Sequence, residues 1–302
     1  MRTKWTDLAL ETSRGQLTKS ERLEGGIERT VVRIRDAQSA RELGRPIGTY
    51  ETLSCPQTMT IELGTREALS RELSRTIRGM LPDGAGTVLV AGLGNRSVTP
   101  DALGPRTVER VLVTRHMDGC LPQDAEARMA SVCAAAPGVL GVTGIETAEV
   151  LKGIAEHVRP DAVIVVDALA ARSSKRICST IQVADTGITP GSGVGNHRKA
   201  LTWETMGVPV IAVGVPMVVY ASTIARDAMA FLGQSEGASP ADEELLVSCV
   251  ERVVSEQLGD LIVTPREVDA LVERMAGILA EGINMALHPD LTAQEIAQLT
   301  AQ

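Results

Sequence analysis

Three short, continuous apolar runs dominate the middle of the chain: TVLVAGLG from Thr87, AVIVVDAL over 162–169 and VPVIAVGVP over 208–216. Runs this short that do not alternate, closed by Gly or Asp, read as strands buried on both faces, the habit of parallel sheets. ICSTIQVAD (177–185) predicts a further strand between the last two. Helical spacing appears in Arg66–Met80, where Leu69, Leu73, Ile77 and Met80 share a face, and again over Ala102–Arg115 and Glu146–His157. Strands alternating with helices predict right-handed crossovers and a mostly parallel sheet covered on both sides, a three-layer α/β/α fold. Glu243–Leu258 and Pro265–Leu287 carry helical periodicity, with Pro265 suited to a first helical position.

Before Gly86 the pattern is weaker. Residues 1–50 are rich in charge and glycine, with one β-like run, Thr30–Ile34, and read as an arm or small subdomain; MTIEL (59–63) alternates like a strand. No segment repeats. The expected organisation is residues 1–7 as a removable leader and 8–302 as one domain, made of an N-terminal part (8–85), a core (86–217) and a helical C-terminal part (218–302).

Composition narrows the function. With 44% hydrophobic residues but only two Trp, two Tyr and one Phe, the core is aliphatic and base-stacking platforms are scarce. Thirty basic against 38 acidic residues give a net charge of −8, with no basic block to meet phosphates or an anionic bilayer. Direct nucleic-acid binding and membrane association are therefore not expected. No apolar run reaches membrane-span length and the start lacks a secretory signal, so a cytoplasmic location is expected. Five cysteines without CxxC fit reduced, mostly packed thiols.

Two carboxylates stand where an open α/β sheet does its chemistry. Asp167 ends VIVVD and Asp101 follows GLGNRSVTP, both at the C-terminal side of buried strands. Asp167 must reach a crevice or sit desolvated with a raised pKa; the ordinary alternative is that Asp167 caps the following turn and Asp101 starts a helix. The glycines of GLGN (Gly92, Gly94, then Asn95) and of GSGVGN (Gly193, Gly195) let backbone amides approach a substrate or an oxyanion. Other chemistries lack their spacing. Neither glycine string is GxGxxG or GxxxxGK[ST], no GxSxG elbow exists, and the four histidines lie about 40 or more residues apart, which removes HExxH.

The segments GLGNRSVTPDALGPRTVERVLVTRH (92–116), APGVLGVTGIETAEVLKGIAEHVRPDAVIVVDALAAR (136–172) and QVADTGITPGSGVGNHRKALTWETMGVPVIAVGVP (182–216) resemble the spore germination proteases. The likeness extends to TDLALE near the start and VTPREVDALVERMAGILAEGINMALH near the end. It implies an endopeptidase that degrades small acid-soluble spore proteins during germination, in the cytoplasm of the spore core. It also implies an atypical aspartic peptidase made as a zymogen, with the essential carboxylates on Asp101 and Asp167 and no cofactor or metal. TDLALE is similar to the family's cleavage sequence, TE followed by Ile or Phe and then ASE, which implies self-processing between Asp7 and Leu8. Only Met1–Thr6 precede Asp7, a shorter leader than the family usually carries. A homo-oligomer is expected. The same two aspartates also look like those of the hydrogenase maturation peptidases, a metal-dependent alternative for which no matching histidine is found; a binding protein without catalysis is the other alternative.

Overall fold

In a computed structural model the described residues are 6–13, 18–55, 63–120, 127–195, 198–236, 248–249, 252–254, 256–257 and 261–300. In chain order the regular elements are β1 (Thr18–Arg22), β2 (Glu28–Ile34), α1 (Ala37–Leu43), β3 (Gly48–Ser54), α2 (Leu63–Met80), β4 (Thr87–Gly92), α3 (Leu103–Val108), β5 (Ser131–Ala135), α4 (Leu140–Thr143) and α5 (Thr147–Val158). There follow β6 (Ala162–Ala171), β7 (Thr180–Ala184), α6 (Trp203–Met206), β8 (Val210–Tyr220), α7 (Ala221–Glu236), β9 (Ile262–Val263), α8 (Val268–Leu287) and α9 (Ala293–Thr300).

One mixed sheet runs in the order β1-β2-β3-β7-β8-β6-β4-β5, with β9 added to the end of β8. The three apolar runs are its parallel centre: β4 pairs β5 and β6, and β6 pairs β8, all parallel. Alternation along these strands feeds two cores. Val88, Val90, Ile164, Val166, Ile211 and Val213 face a layer built on α2 and α8. Leu89, Ala91, Val163, Val165 and Ala212 face Ala148, Leu151 and Ala155 of α5. The expected three-layer α/β/α arrangement is present.

The chain departs from the sequence reading at several places. Residues 18–54 do not stand apart, because β1, β2 and β3 are antiparallel strands that continue the central sheet through β3 against β7. The segment 102–115 is helical only over Leu103–Val108, and α8 begins at Val268, after the backbone N–H of Val268 has bonded to the carbonyl of Pro265. Of MTIEL, residues 59–62 lie outside the described residues and Leu63 opens α2. Glu243–Leu258 also falls mostly outside them. Among the described residues no helix is long and apolar enough to cross a membrane.

Candidate active site

Asp167 lies inside β6, not at its end. β6 continues four residues further and Asp167 is in register with Gly214 of β8. By alternation its side chain shares a face with Val163 and Val165. It is buried, and its Oδ1 accepts the N–H of Ala168 at 2.9 Å.

Asp101 closes a single 3-10 turn, Thr99–Asp101, ahead of α3. It does not cap that helix, whose N-cap position is Ala102. Its carboxylate instead reaches back, and Oδ2 accepts the N–H of Asn95 at 2.7 Å. Glycine makes this fold-back possible. A Cβ on Gly94, at φ +111°, would lie 2.0 Å from the Asp101 carbonyl oxygen, and one on Gly92 would lie 2.3 Å from that of Gly104. Gly104 in turn sits against the Leu93 backbone, and the Leu93 N–H bonds to the Val166 carbonyl at 2.8 Å, which ties the loop to β6.

Asp101 and Asp167 border one cavity of about 580 Å³, together with Gly94, Asn95, Leu140 and Arg198. Burial pushes the Asp167 carboxyl well above the usual carboxylate range, and the negative charges of Asp101 and Asp7 push it the same way. Asp101 is also raised by burial, opposed by the hydrogen bond from Asn95. Among the described residues no group of three His, Cys, Asp or Glu side chains is placed to hold a metal ion.

The third carboxylate belongs to the chain's own N-terminal segment. Asp7 borders the same cavity and is anchored on both sides of its backbone. Its N–H donates to the Ala170 carbonyl at 2.9 Å, and its Oδ2 accepts the Ala170 N–H at 2.9 Å. Its Oδ1 accepts the Ser192 hydroxyl at 2.7 Å, and the Gly193 N–H and the Arg45 guanidinium also favour the charged form; burial outweighs these and raises its pKa.

The residues after Asp7 are seated as closely. Leu8 is fully buried among Leu169, Ala171 and Val219. The Ala9 N–H donates to Gln182 Oε1 at 2.7 Å, and Gln182 Nε2 donates to the Asp7 carbonyl at 2.9 Å. Glu11 accepts the Arg172 N–H at 2.7 Å and pairs with Arg176 at 3.2 Å, while the Thr6 hydroxyl donates to it and Arg45 donates to the Thr6 carbonyl at 2.9 Å.

Of the loop glycines singled out from sequence, Gly94 and Asn95 border the large cavity and Gly193 touches the Asp7 carboxylate, whereas Gly92 and Gly195 border neither this cavity nor its smaller neighbour. Gly92 packs on Gly104, and Gly195, at φ +71°, ends the 3-10 turn of Ser192–Val194. The amides of Asn95 and Gly193 are engaged by carboxylates rather than by a carbonyl oxygen. Sequence reasoning missed Arg45, Gln182, Ser192 and Arg176. The available signal was Gln182, a polar side chain inside a strand otherwise buried throughout.

A family model described as germination protease matches residues 6–246 and 241–300. The chain belongs to the germination protease family. A germination protease of Caldanaerobacter subterraneus subsp. tengcongensis is 42% identical, with 97% of each chain covered. The germination protease of Clostridium acetobutylicum is 39% identical over 96% of this chain and 97% of that one, and that of Bacillus cereus 36% identical over 94% and 93%. Among solved structures, a [NiFe] hydrogenase maturation protease, HycI, from Thermococcus kodakarensis matches 69% of this chain and 98% of its own, at 18% identity and a TM-score of 0.36. Germination protease membership makes the chain a peptidase of spore germination, with a protein substrate.

Proposed function

We propose that this chain is the zymogen of an atypical aspartic endopeptidase that cuts small acid-soluble spore proteins, and that it first cuts itself between Asp7 and Leu8. The observation that carries this reading is the seating of Asp7 on the cavity of the two aspartates, with its carboxylate bound by Ala170 and Ser192 as a ligand would be. A chain terminus held only for stability has no need to bury a carboxylate next to two others, because each ionised neighbour raises the cost.

The environments divide the labour. Asp167, the more deeply buried and facing two other carboxylates, keeps the proton. Asp101, held by the Asn95 N–H, is the ionised partner and takes a proton from water as the oxygen attacks the carbonyl carbon of residue 7. Asp167 delivers its proton to the nitrogen of residue 8 as the C–N bond breaks, leaving a carboxylate on Asp7 and an amine on Leu8. The two aspartates titrate as a pair, so the proton is shared between macroscopic states. Mild acid therefore speeds self-cleavage, since a fully ionised pair lacks the acid.

The test is intact-mass spectrometry of the purified full-length chain after a shift to mildly acid pH, followed by addition of a small acid-soluble spore protein. A new Leu8 terminus and discrete cuts in the added protein are expected. A Leu8 terminus that forms equally in Asp101→Asn would show that another protease made it, and an intact spore protein would refute the endopeptidase reading. The metal-dependent and non-catalytic alternatives predict, respectively, loss of cutting on exhaustive chelation and no cutting at all.

A further inference from the structure

Gln182 bonds on both sides of the Asp7–Leu8 peptide bond. Its Nε2 donates to the Asp7 carbonyl oxygen at 2.9 Å, and its Oε1 accepts the Ala9 N–H at 2.7 Å. The orientation of the amide is fixed by its partners, because a carbonyl oxygen only accepts and a backbone N–H only donates. Gln182 is buried in β7, where a polar side chain is costly unless both ends are satisfied, and the N-terminal segment supplies both partners.

Its place in the sheet aims it at the reacting bond. Gln182 and Asp167 are both in register with Gly214, one from each side, so they stand in one row and project from the same face. Two strand spacings, about 10 Å of backbone, separate them. Between them Gly214 contributes no side chain; a Cβ there would strike Leu169 at 2.5 Å. The Leu169 side chain fills that space, and Asp7, which borders both the cavity of Gln182 and that of the two aspartates, reaches from the amide on the β7 side to the carboxylates on the β6 side. Of the glycine-loop amides, those of Asn95 and Gly193 already bond to carboxylates.

We propose that Gln182 is a catalytic residue that binds the oxyanion. This rests on the reading that Thr6–Glu11 is bound as a substrate. When water adds to the carbonyl carbon of residue 7, the π electrons of the C=O bond move onto the oxygen and the Gln182 N–H stabilises that charge. When the C–N bond breaks, the electrons return and the carbonyl re-forms. Gln182 neither gains nor loses a proton. Its Oε1 holds the N–H of residue 9 throughout, so a single side chain fixes the register of the bond to be cut.

Two substitutions in the full-length chain test this by the rate at which the Leu8 terminus appears. Gln182→Met keeps the length but removes donor and acceptor, and should slow the cut by about 100–1000-fold at every pH, the usual cost of losing an oxyanion donor. Gln182→Glu keeps the shape. Its protonated acid can donate to the carbonyl oxygen while its other oxygen accepts from residue 9, whereas its carboxylate would repel the developing charge. The ratio of its rate to that of the unsubstituted chain should therefore climb toward one as pH falls. The ionisable groups sharing its surroundings are Asp7, Arg45 and Tyr50 on the near cavity and Asp167 across Gly214. Because all four are present in both proteins, the ratio isolates residue 182. A Gln182→Met rate within about threefold of the unsubstituted chain, or a Gln182→Glu ratio that does not change with pH, would overturn the inference. If Gln182→Met fails to fold, the pH dependence of the Gln182→Glu ratio decides alone. Absence of any Leu8 terminus in the unsubstituted chain would instead refute the underlying reading of self-cleavage.

Discussion

A single methyl group should separate the N-terminal segment from its seat. A Cβ built on Gly193 lies 2.0 Å from Asp7 Oδ2, 2.5 Å from Cγ and 2.8 Å from Oδ1. Non-bonded heavy atoms settle at about 3.5 Å or more, so the overlap exceeds about 1 Å and cannot be absorbed by a small adjustment. Gly193 is not among the residues with positive φ, and its backbone therefore accepts alanine without strain. The carboxylate has to leave. It then loses the Ala170 N–H at 2.9 Å and the Ser192 hydroxyl at 2.7 Å. Two hydrogen bonds to a charged group, at about 1.5–3 kcal/mol each, set a ceiling of about 3–6 kcal/mol. Rehydration of a carboxylate whose burial was unfavourable returns part of this. A net cost of about 1.4–3 kcal/mol follows, so self-cleavage in Gly193→Ala should slow about tenfold to about a hundredfold. The assay is a time course of intact mass under identical conditions. A paired control separates the clash from general damage: Gly193→Ala combined with Asp7→Ala should melt no lower than Asp7→Ala alone. Self-cleavage of Gly193→Ala within about threefold of the unsubstituted rate would refute the steric reasoning.

Asp101→Asn and Asp167→Asn should each cut an added spore protein more than about tenfold more slowly, the equivalent of about 1.4 kcal/mol of barrier, while circular dichroism stays unchanged; a smaller loss removes that residue from the mechanism. Asp167 has a folded-state pKa raised above its unfolded value, so its contribution to stability is fully present below about pH 3.9 and is lost as pH rises through the folded-state pKa. Asp167→Asn removes that loss. The melting temperature of the variant relative to the unsubstituted chain should thus be higher at pH 7 than at pH 4, and an equal difference at both values would contradict the desolvated carboxyl. Leu8 is fully buried, so Leu8→Ala should destabilise the uncut chain by about 2–5 kcal/mol in urea unfolding; a change below about 0.5 kcal/mol would mean that the segment is not held in solution.

The centre of the fold was legible because its constraint is local. β4, β6 and β8 are covered on both faces, and sequences that satisfy this are apolar at every step, as in Ala162–Val166. The burial of Asp167 was legible for the same reason, since a carboxylate at the end of such a run has few places to go. The exact position of Asp167 was not. That β6 and β8 continue past it depends on the mutual pairing of Ala168–Ala171 with Val215–Val219, which includes a register shift at Leu169/Ala170. Thr18–Arg22 carries no apolar residue at all, and what makes it a strand is the ladder to Glu28–Val32. The seat of the N-terminal segment was the least legible part. Gln182 bonds to residues 173 and 175 positions away, and Ser192 to one 185 positions away, separations at which no local pattern exists.

The position of Asp7 bears on how the cleft would open. A second cavity of about 250 Å³, bordered by Arg45, Tyr50 and Gln182, lies beside the larger one, and Asp7 and Leu169 border both. Asp7 is thus a partition between two chambers, and it is a partition fastened by hydrogen bonds to Ala170 and Ser192 that the enzyme's own cut would turn into the bonds of a departing product. Were Asp7 to leave as proposed, Leu8 could keep the apolar floor of Leu169, Ala171 and Val219 covered, and Leu169 would still border both chambers. If the proposed self-cleavage holds, latency would be a matter of compartments: the uncut chain would contain both chambers of the cleft, with Asp7 and Leu169 between them.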